Sequence, residues 1–193
     1  MTANKPFNII IAGVGGQGVI TLTQIIAEAA LIQGLDVKTS ELHGLSQRGG
    51  SVETSIKIGK KVYSPLVARG AADLILGQEI TEALRKIYYA NSKTLLLANR
   101  LSVSYPNSPS EKRVVGELKR IFKRKGRIIE ASKICKEELG KEVLSGVFLL
   151  SFAAHNKMLP LKPNSILKAI NSFVPKKYLD INQKAFKLAK DYK

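Results

Sequence analysis

Residues 7–30 constrain the possible folds of this chain more than any other stretch. Phe7-Asn8-Ile9-Ile10-Ile11-Ala12 is a short apolar run, Gly13-Val14-Gly15-Gly16-Gln17-Gly18 is a glycine cluster, and Val19 to Ala30 carries apolar residues at helical spacing. The order predicts buried strand, tight turn, helix. Glycines there let the chain reverse sharply, bring backbone amides close to a ligand or a neighbouring chain, and let the helix pack closely on the sheet. The first amides of the helix have no partner within it and lie at the positive end of its dipole, so a phosphate or carboxylate is a natural guest.

Gly13, Gly15 and Gly18 also satisfy the G-x-G-x-x-G spacing, and Glu41 falls near the end of the next expected strand, where a dinucleotide-binding protein keeps its ribose-binding carboxylate. A nicotinamide or flavin site and a glycine turn that only packs are both open on these residues.

Gly34 is an expected helix cap, and Leu35 to Ser40 alternates as a second strand. Strand, helix and strand in some thirty residues predict a right-handed parallel crossover. Glu41 to Gly50 is too broken by glycine for a helix and too polar for a core strand, so it is expected as a functional loop beyond a strand end. Ser51 to Ile58 alternates, and Gly59-Lys60-Lys61 is expected to turn it back into Val62-Tyr63-Ser64-Pro65 as a hairpin. A dinucleotide fold would have a helix at that point, which weighs against the nicotinamide reading.

Further strands are expected at 72–77, 94–98 and 128–131, and helices at 80–90 and 111–125, with Ser132 capping a short helix that stops at Gly140. Val143 to Met158 reads as an apolar, buried helix; Asn164 or Ser165 is expected to cap the next, and Pro175 precedes the last. The expected architecture is α/β: a three-layer Rossmann-like sheet, mostly parallel but mixed through a β-hairpin, with C-terminal helices. Residues 1–193 are expected to form a single domain, with 141–193 a helical extension packed on it.

One cysteine, Cys135, among 193 residues excludes an internal disulfide and cannot hold an iron-sulfur cluster, and with two histidines a self-contained metal site is not expected. No apolar run has the length of a membrane span, so a cytoplasmic protein is expected. The charge is lopsided: residues 1–100 carry 11 Lys+Arg against 7 Asp+Glu, and residues 101–193 carry 20 against 8. Few aromatics interleave with those lysines, so a solvated face or an acidic protein partner is expected rather than nucleic acid.

With Gly13-Val14-Gly15-Gly16-Gln17-Gly18, Glu41-Leu42-His43-Gly44, Gln47-Arg48-Gly49-Gly50-Ser51-Val52, Tyr63-Ser64-Pro65, and Val174-Pro175 followed by Asn182-Gln183-Lys184-Ala185-Phe186 in this order, the chain resembles the gamma component of the 2-oxoacid:ferredoxin oxidoreductases. Within that group it is most similar to the beta subunits of indolepyruvate:ferredoxin oxidoreductases, where this component is a separate chain. The resemblance implies a subunit of an enzyme that oxidatively decarboxylates an arylpyruvate or other 2-oxoacid to an acyl-CoA while reducing ferredoxin. It implies thiamine diphosphate and [4Fe-4S] clusters on a larger partner subunit, coenzyme A as co-substrate, and no cofactor bound by this chain alone.

The expected contribution of this chain is a ligand or interface loop made by Gly13, Gly15, Gly16, Gln17, Gly18, Arg48, Gly49 and Gly50, with no catalytic and no metal-binding residue. Arg48 is expected to position coenzyme A, a substrate carboxylate or a carboxylate across the subunit interface, or else to fix its own loop by a salt bridge. Gln17 either bonds a ligand or satisfies the turn, and His43 is either a proton carrier or a structural hydrogen-bonding group. Cys135 is expected to be inert.

Overall fold

The computed structural model describes residues 5–44 and 49–192. They form three layers around one six-stranded sheet of order β2-β3-β1-β4-β5-β6. The strands are β1 (Phe7–Val14), β2 (Asp36–His43), β3 (Ser51–Gly59), β4 (Leu74–Gly77), β5 (Leu95–Asn99) and β6 (Gly126–Ile129). β1, β4, β5 and β6 run parallel, and β3 is antiparallel to both of its neighbours, β1 and β2. The expected mixed, mostly parallel sheet is therefore present.

Two details differ from expectation. The hairpin is β2–β3, closed where the Gly44 N–H donates to the Ser51 carbonyl at 2.9 Å, and residues 62–65 form no strand. Val62 is buried, but its N–H donates to the Asp36 carboxylate at 2.7 Å rather than to a neighbouring strand. β2 also does not sit beside β1: the hairpin folds β3 into the gap, so β1 and β2 keep a common direction with a strand between them.

The consecutive isoleucines serve both layers because successive side chains in a strand point to opposite faces. Ile9 and Ile11 enter one core with α1 (Val19–Ile32), α4 (Ala131–Leu139), α5 (Ser145–His155), α6 (Pro163–Phe173) and α7 (Lys176–Asp191). Ile10 enters the other with α2 (Ile80–Arg85) and α3 (Glu111–Phe122). All three are fully buried, each worth about 1.5–3 kcal/mol relative to exposure.

α1 ends as its sequence predicts. Gly34 adopts φ +71°, and the Leu35 N–H reaches back to the Ala30 carbonyl at 3.0 Å, closing a Schellman-type cap. α5 is buried along its whole length from Ser145 to Ala154; its Ser151 hydroxyl donates to the Phe186 carbonyl on α7 at 2.6 Å. Two expected caps are replaced. Ser132 lies inside α4, where Asn99 of β5 accepts from its N–H at 3.1 Å, and α6 starts at Pro163, with Lys162 in the capping position. Proline suits that first position because its missing N–H would have no helical partner.

Candidate functional site at the carboxyl edge of the sheet

β1 runs into the glycine turn at the carboxyl ends of the parallel strands. Gly16 and Gly18 have φ of +98° and +73°, a region open to glycine at little cost. The Gln17 N–H donates to the Val14 carbonyl at 3.2 Å, and the Gln17 side-chain oxygen accepts from the Val14 N–H at 3.0 Å. Gln17 thus satisfies the turn itself. Gly13 serves another purpose, because a Cβ there would lie 2.9 Å from both Gln78 Cβ and Val19 Cγ2. The glycine that permits close packing is this one, at the strand end, whereas the space around Gly18 is open.

The turn and the β2–β3 loop meet directly, since the Gly15 N–H donates to the Gly50 carbonyl at 2.9 Å. Gly13, Gly15, Gly16, Gln17, Gly18, Gly49 and Gly50 therefore occupy one edge. Arg48 lies outside the described residues. α1 has no side-chain cap and no acidic residue in its first turn, so no carboxylate of its own first turn offsets the positive end of its dipole.

This edge is also where the connections diverge. β1 leads to α1 on one face and β4 leads to α2 on the other, the arrangement that opens a crevice in α/β sheets. Gln78 stands there, its N–H donating to the Ala12 carbonyl at 2.7 Å. Gln78 is 1% exposed, and neither of its side-chain polar atoms has a hydrogen-bond partner among the described residues. Buried amides are nearly always satisfied, so Gln78 has both a donor and an acceptor to spare at this edge. Its neighbour Asn99 is fully engaged, donating to the Gln78 carbonyl at 3.1 Å and to the Ser132 hydroxyl at 2.7 Å.

Beside the turn lies a cavity of about 440 Å³ between α1, the start of α5, and α7. Gln17 and Gly18 line it together with Val174, Pro175 and Asn182, so the first and last blocks that carried the sequence resemblance converge on one space. Gly146 lines it too, and a Cβ there would collide with Leu22. At the mouth, Lys141 and Lys177 stack on Tyr178 at 5.3 and 4.7 Å from the ring centroid.

The other face of the same edge holds buried carboxylates that the sequence did not single out. Glu53 on β3 is 5% exposed, paired with Lys86 at 2.8 Å and accepting from the Tyr89 hydroxyl at 2.6 Å. Burial and that bond to Glu53 push the Tyr89 phenol well above its usual range. Glu82 accepts from the Ser51 hydroxyl at 2.5 Å and from Arg85 at 2.7 Å. Glu79 accepts from the Glu82 and Val103 N–H groups at 2.7 and 3.2 Å, and burial raises its carboxyl above the ordinary value. The one signal available was Gly77-Gln78-Glu79, polar residues directly after a wholly apolar strand.

Glu41 does not serve a ribose. It lies on the exposed edge strand beside His43 at 3.4 Å, two strands away from the glycine turn and so roughly 10 Å across the sheet. The inserted β3 removes the geometry that a dinucleotide reading needs. Burial pushes the Cys135 thiol up to about 11, which keeps it protonated and unreactive at neutral pH.

The Pyruvate ferredoxin/flavodoxin oxidoreductase family model matches residues 8–192. The chain is similar to indolepyruvate oxidoreductase subunit IorB of Thermococcus kodakarensis, at 36% identity over 95% of this chain and 94% of that protein. Its similarity to the subunit of that name from Archaeoglobus fulgidus is 35%, over 94% and 92% respectively. The fold matches the gamma subunit of a keto/oxoacid ferredoxin oxidoreductase from Geobacter sulfurreducens, with TM-score 0.71 and 22% identity over 97% of this chain and 96% of that one. It also matches part of the 2-oxoglutarate:ferredoxin oxidoreductase of Magnetococcus marinus, with TM-score 0.75 and 18% identity over 97% of this chain and 31% of that longer one. The family model spanning residues 8–192, with relatives 35–36% identical over at least 94% of the chain, places this chain in the pyruvate ferredoxin/flavodoxin oxidoreductase family.

Proposed function

We propose that this chain is the small subunit of a cytoplasmic enzyme that oxidatively decarboxylates an arylpyruvate, with indolepyruvate the leading substrate, to an acyl-CoA while reducing ferredoxin. The observation that carries the reading is the similarity, over at least 94% of the chain, to subunits named for indolepyruvate oxidoreductase at 35–36% identity. The chain's own residues do not fit the cofactors such a reaction needs. A lone buried thiol held protonated cannot ligate an iron-sulfur cluster, and among the described residues no group of three His, Cys, Asp or Glu side chains could hold a metal ion. Thiamine diphosphate and [4Fe-4S] clusters belong, on this reading, to a larger partner subunit. They supply the carbanion and electron-transfer chemistry there.

Residues 1–193 act as one unit in this assignment, with 141–193 helping to wall the cavity beside the glycine turn. The edge formed by Gly13, Gly15, Gly16, Gln17, Gly18, Gly49 and Gly50 faces the partner's active site. Its free helical amides, with the cation of Arg48, take one anionic group: a phosphate of coenzyme A, the substrate carboxylate, or a carboxylate of the partner. The chain thereby positions and encloses reactants, and performs no bond-making step itself.

Co-purification from the native cell tests the assignment. A companion chain bearing thiamine diphosphate and iron-sulfur clusters, with coenzyme A-dependent ferredoxin reduction faster on indolepyruvate than on pyruvate, is the expected result. Full oxidative turnover by the isolated chain, or its tight stoichiometric binding of a nicotinamide dinucleotide, would overturn it. In the reconstituted complex, Arg48→Ala should raise the KM for coenzyme A or the 2-oxoacid, or weaken assembly. No change in any of the three would remove Arg48 from the site.

A further inference from the structure

The sheet face that carries α2 leaves an unusual surface uncovered. Leu42 is 67% exposed, Leu66 68% and Tyr63 82%. Leu42 stands opposite Glu53 in the β2–β3 pairing, and so projects from the same face as that buried carboxylate. The segment containing Leu66 is anchored by buried Val67 in the core that also receives Ile87 and Tyr89. The Tyr88 hydroxyl reaches the same Glu53 at 3.5 Å, so Leu42, the segment of Leu66 and the turn carrying Tyr88 lie on one face of the sheet.

Each exposed tyrosine of this region lies under a cation. Lys61 stands 5.0 Å from the Tyr63 ring centroid, Arg69 5.6 Å from Tyr88, and Arg85 5.2 Å from Tyr105. The carboxylates within the face are already engaged: Glu53 holds Lys86, and Glu82 holds Arg85. Lys38, Lys61 and Arg69 have no ion-pair partner among the described residues. The surface thus combines aliphatic side chains, rigid tyrosines and unpaired cations, the composition of interface centres where Tyr and Arg dominate the binding energy.

We propose that Leu42, Tyr63, Leu66, Arg69, Tyr88 and Tyr105 form the docking face for the larger subunit, whose matching surface is apolar at its centre and acidic at its rim. This rests on the assignment of the chain as a subunit. A second copy of this chain fits poorly, because a two-fold contact would bring Lys61 and Arg69 against a surface of the same sign. Nucleic acid fits less well too, since the tyrosine faces that would stack on bases are occupied by cations and Leu42 and Leu66 offer a base no stacking plane.

The test measures association between this chain and the cofactor-loaded larger subunit by interferometry. The pair Tyr63→Ala with Leu66→Ala should weaken Kd by about thirtyfold, mainly through faster dissociation. The pair Lys61→Glu with Arg69→Glu should slow association by about tenfold at low salt, with the difference shrinking as salt is raised. Lys187→Glu with Lys190→Glu, the same charge change on α7 of the opposite face, should shift Kd by no more than about twofold. All the altered side chains are exposed, and an unchanged melting temperature confirms the fold of each variant.

Wild-type affinity in both patch variants would overturn the docking face and leave the subunit assignment standing. So would a larger loss in the α7 variant. Self-association of the wild-type chain, or salt-sensitive oligonucleotide binding, that the patch substitutions abolish would overturn it in favour of those occupants. Failure of the wild-type chain to bind any cofactor-bearing subunit would overturn the assignment together with the docking face.

Discussion

The two faces of the sheet are built on different principles. The face covered by α1, α4, α5, α6 and α7 is an apolar core in which Phe148 and, on α1, Ile25 and Ile26 are fully buried. The face covered by α2 and α3 has a smaller apolar core and, beside it, buried carboxylates held by cations and hydroxyls: Glu53 by Lys86 and Tyr89, and Glu82 by Ser51 and the half-exposed Arg85. Burial of hydrocarbon stabilises without directional demand, whereas buried ion pairs contribute little net stability but penalise any arrangement that separates them. One face therefore supplies stability, and the other holds the edge beside the glycine turn in one geometry.

That contrast can be broken first where it is strongest. Phe148→Ala should cost about 3–5 kcal/mol in urea denaturation, because the ring is fully buried and packs edge-on against Tyr192. On the other face, Lys86→Ala should cost about 3 kcal/mol by leaving Glu53 buried without its cation, and Glu53→Gln with Lys86→Met should restore most of that loss. An additive double variant would show that the pair does not act as a unit.

Smaller effects probe the seam between the faces. Gln78→Met should be neutral or stabilising by about 1 kcal/mol, since it removes a buried amide that has no partner among the described residues, while lowering turnover of the assembled enzyme. Loss of stability with unchanged turnover would show that the amide is only structural. Glu79→Gln should act on pH dependence. Burial raises the Glu79 carboxyl above its ordinary value, so the folded protein keeps this proton to higher pH than the unfolded chain does. Stability from this group is then greatest below the ordinary carboxyl range and falls as pH rises through the raised value. Thermal melts of Glu79→Gln from pH 4 to pH 8 should lack that component of the decline.

What the sequence makes legible follows from periodicity. Ile9 to Ile11, the glycine cluster and the apolar spacing of Leu22, Ile25, Ile26 and Ala29 are local patterns, and they specify strand, turn and helix correctly. Alternation in Ser51 to Ile58 identifies a strand but carries no information about its partner. Val62 to Pro65 therefore reads as the other half of a hairpin, a pairing that Asp36 prevents by taking the Val62 N–H. Nothing in the sequence around Glu53 signals its burial, which depends on Lys86 and Tyr89 arriving from a distant turn. Gln78 is hidden for the same reason: its isolation arises only when Gly13 and Gly146 leave it room.

The hydrogen bonds inside the glycine turn limit what it can hold. The N–H groups of Val14, Gly15 and Gln17 are already committed, to the Gln17 side chain, the Gly50 carbonyl and the Val14 carbonyl. A diphosphate needs a run of consecutive free donors to wrap around it, and this loop has used several of its own for closure. What is left suits a guest with a single charged tip, and that arithmetic of donors separates this turn from the nucleotide-gripping loops whose spelling it shares.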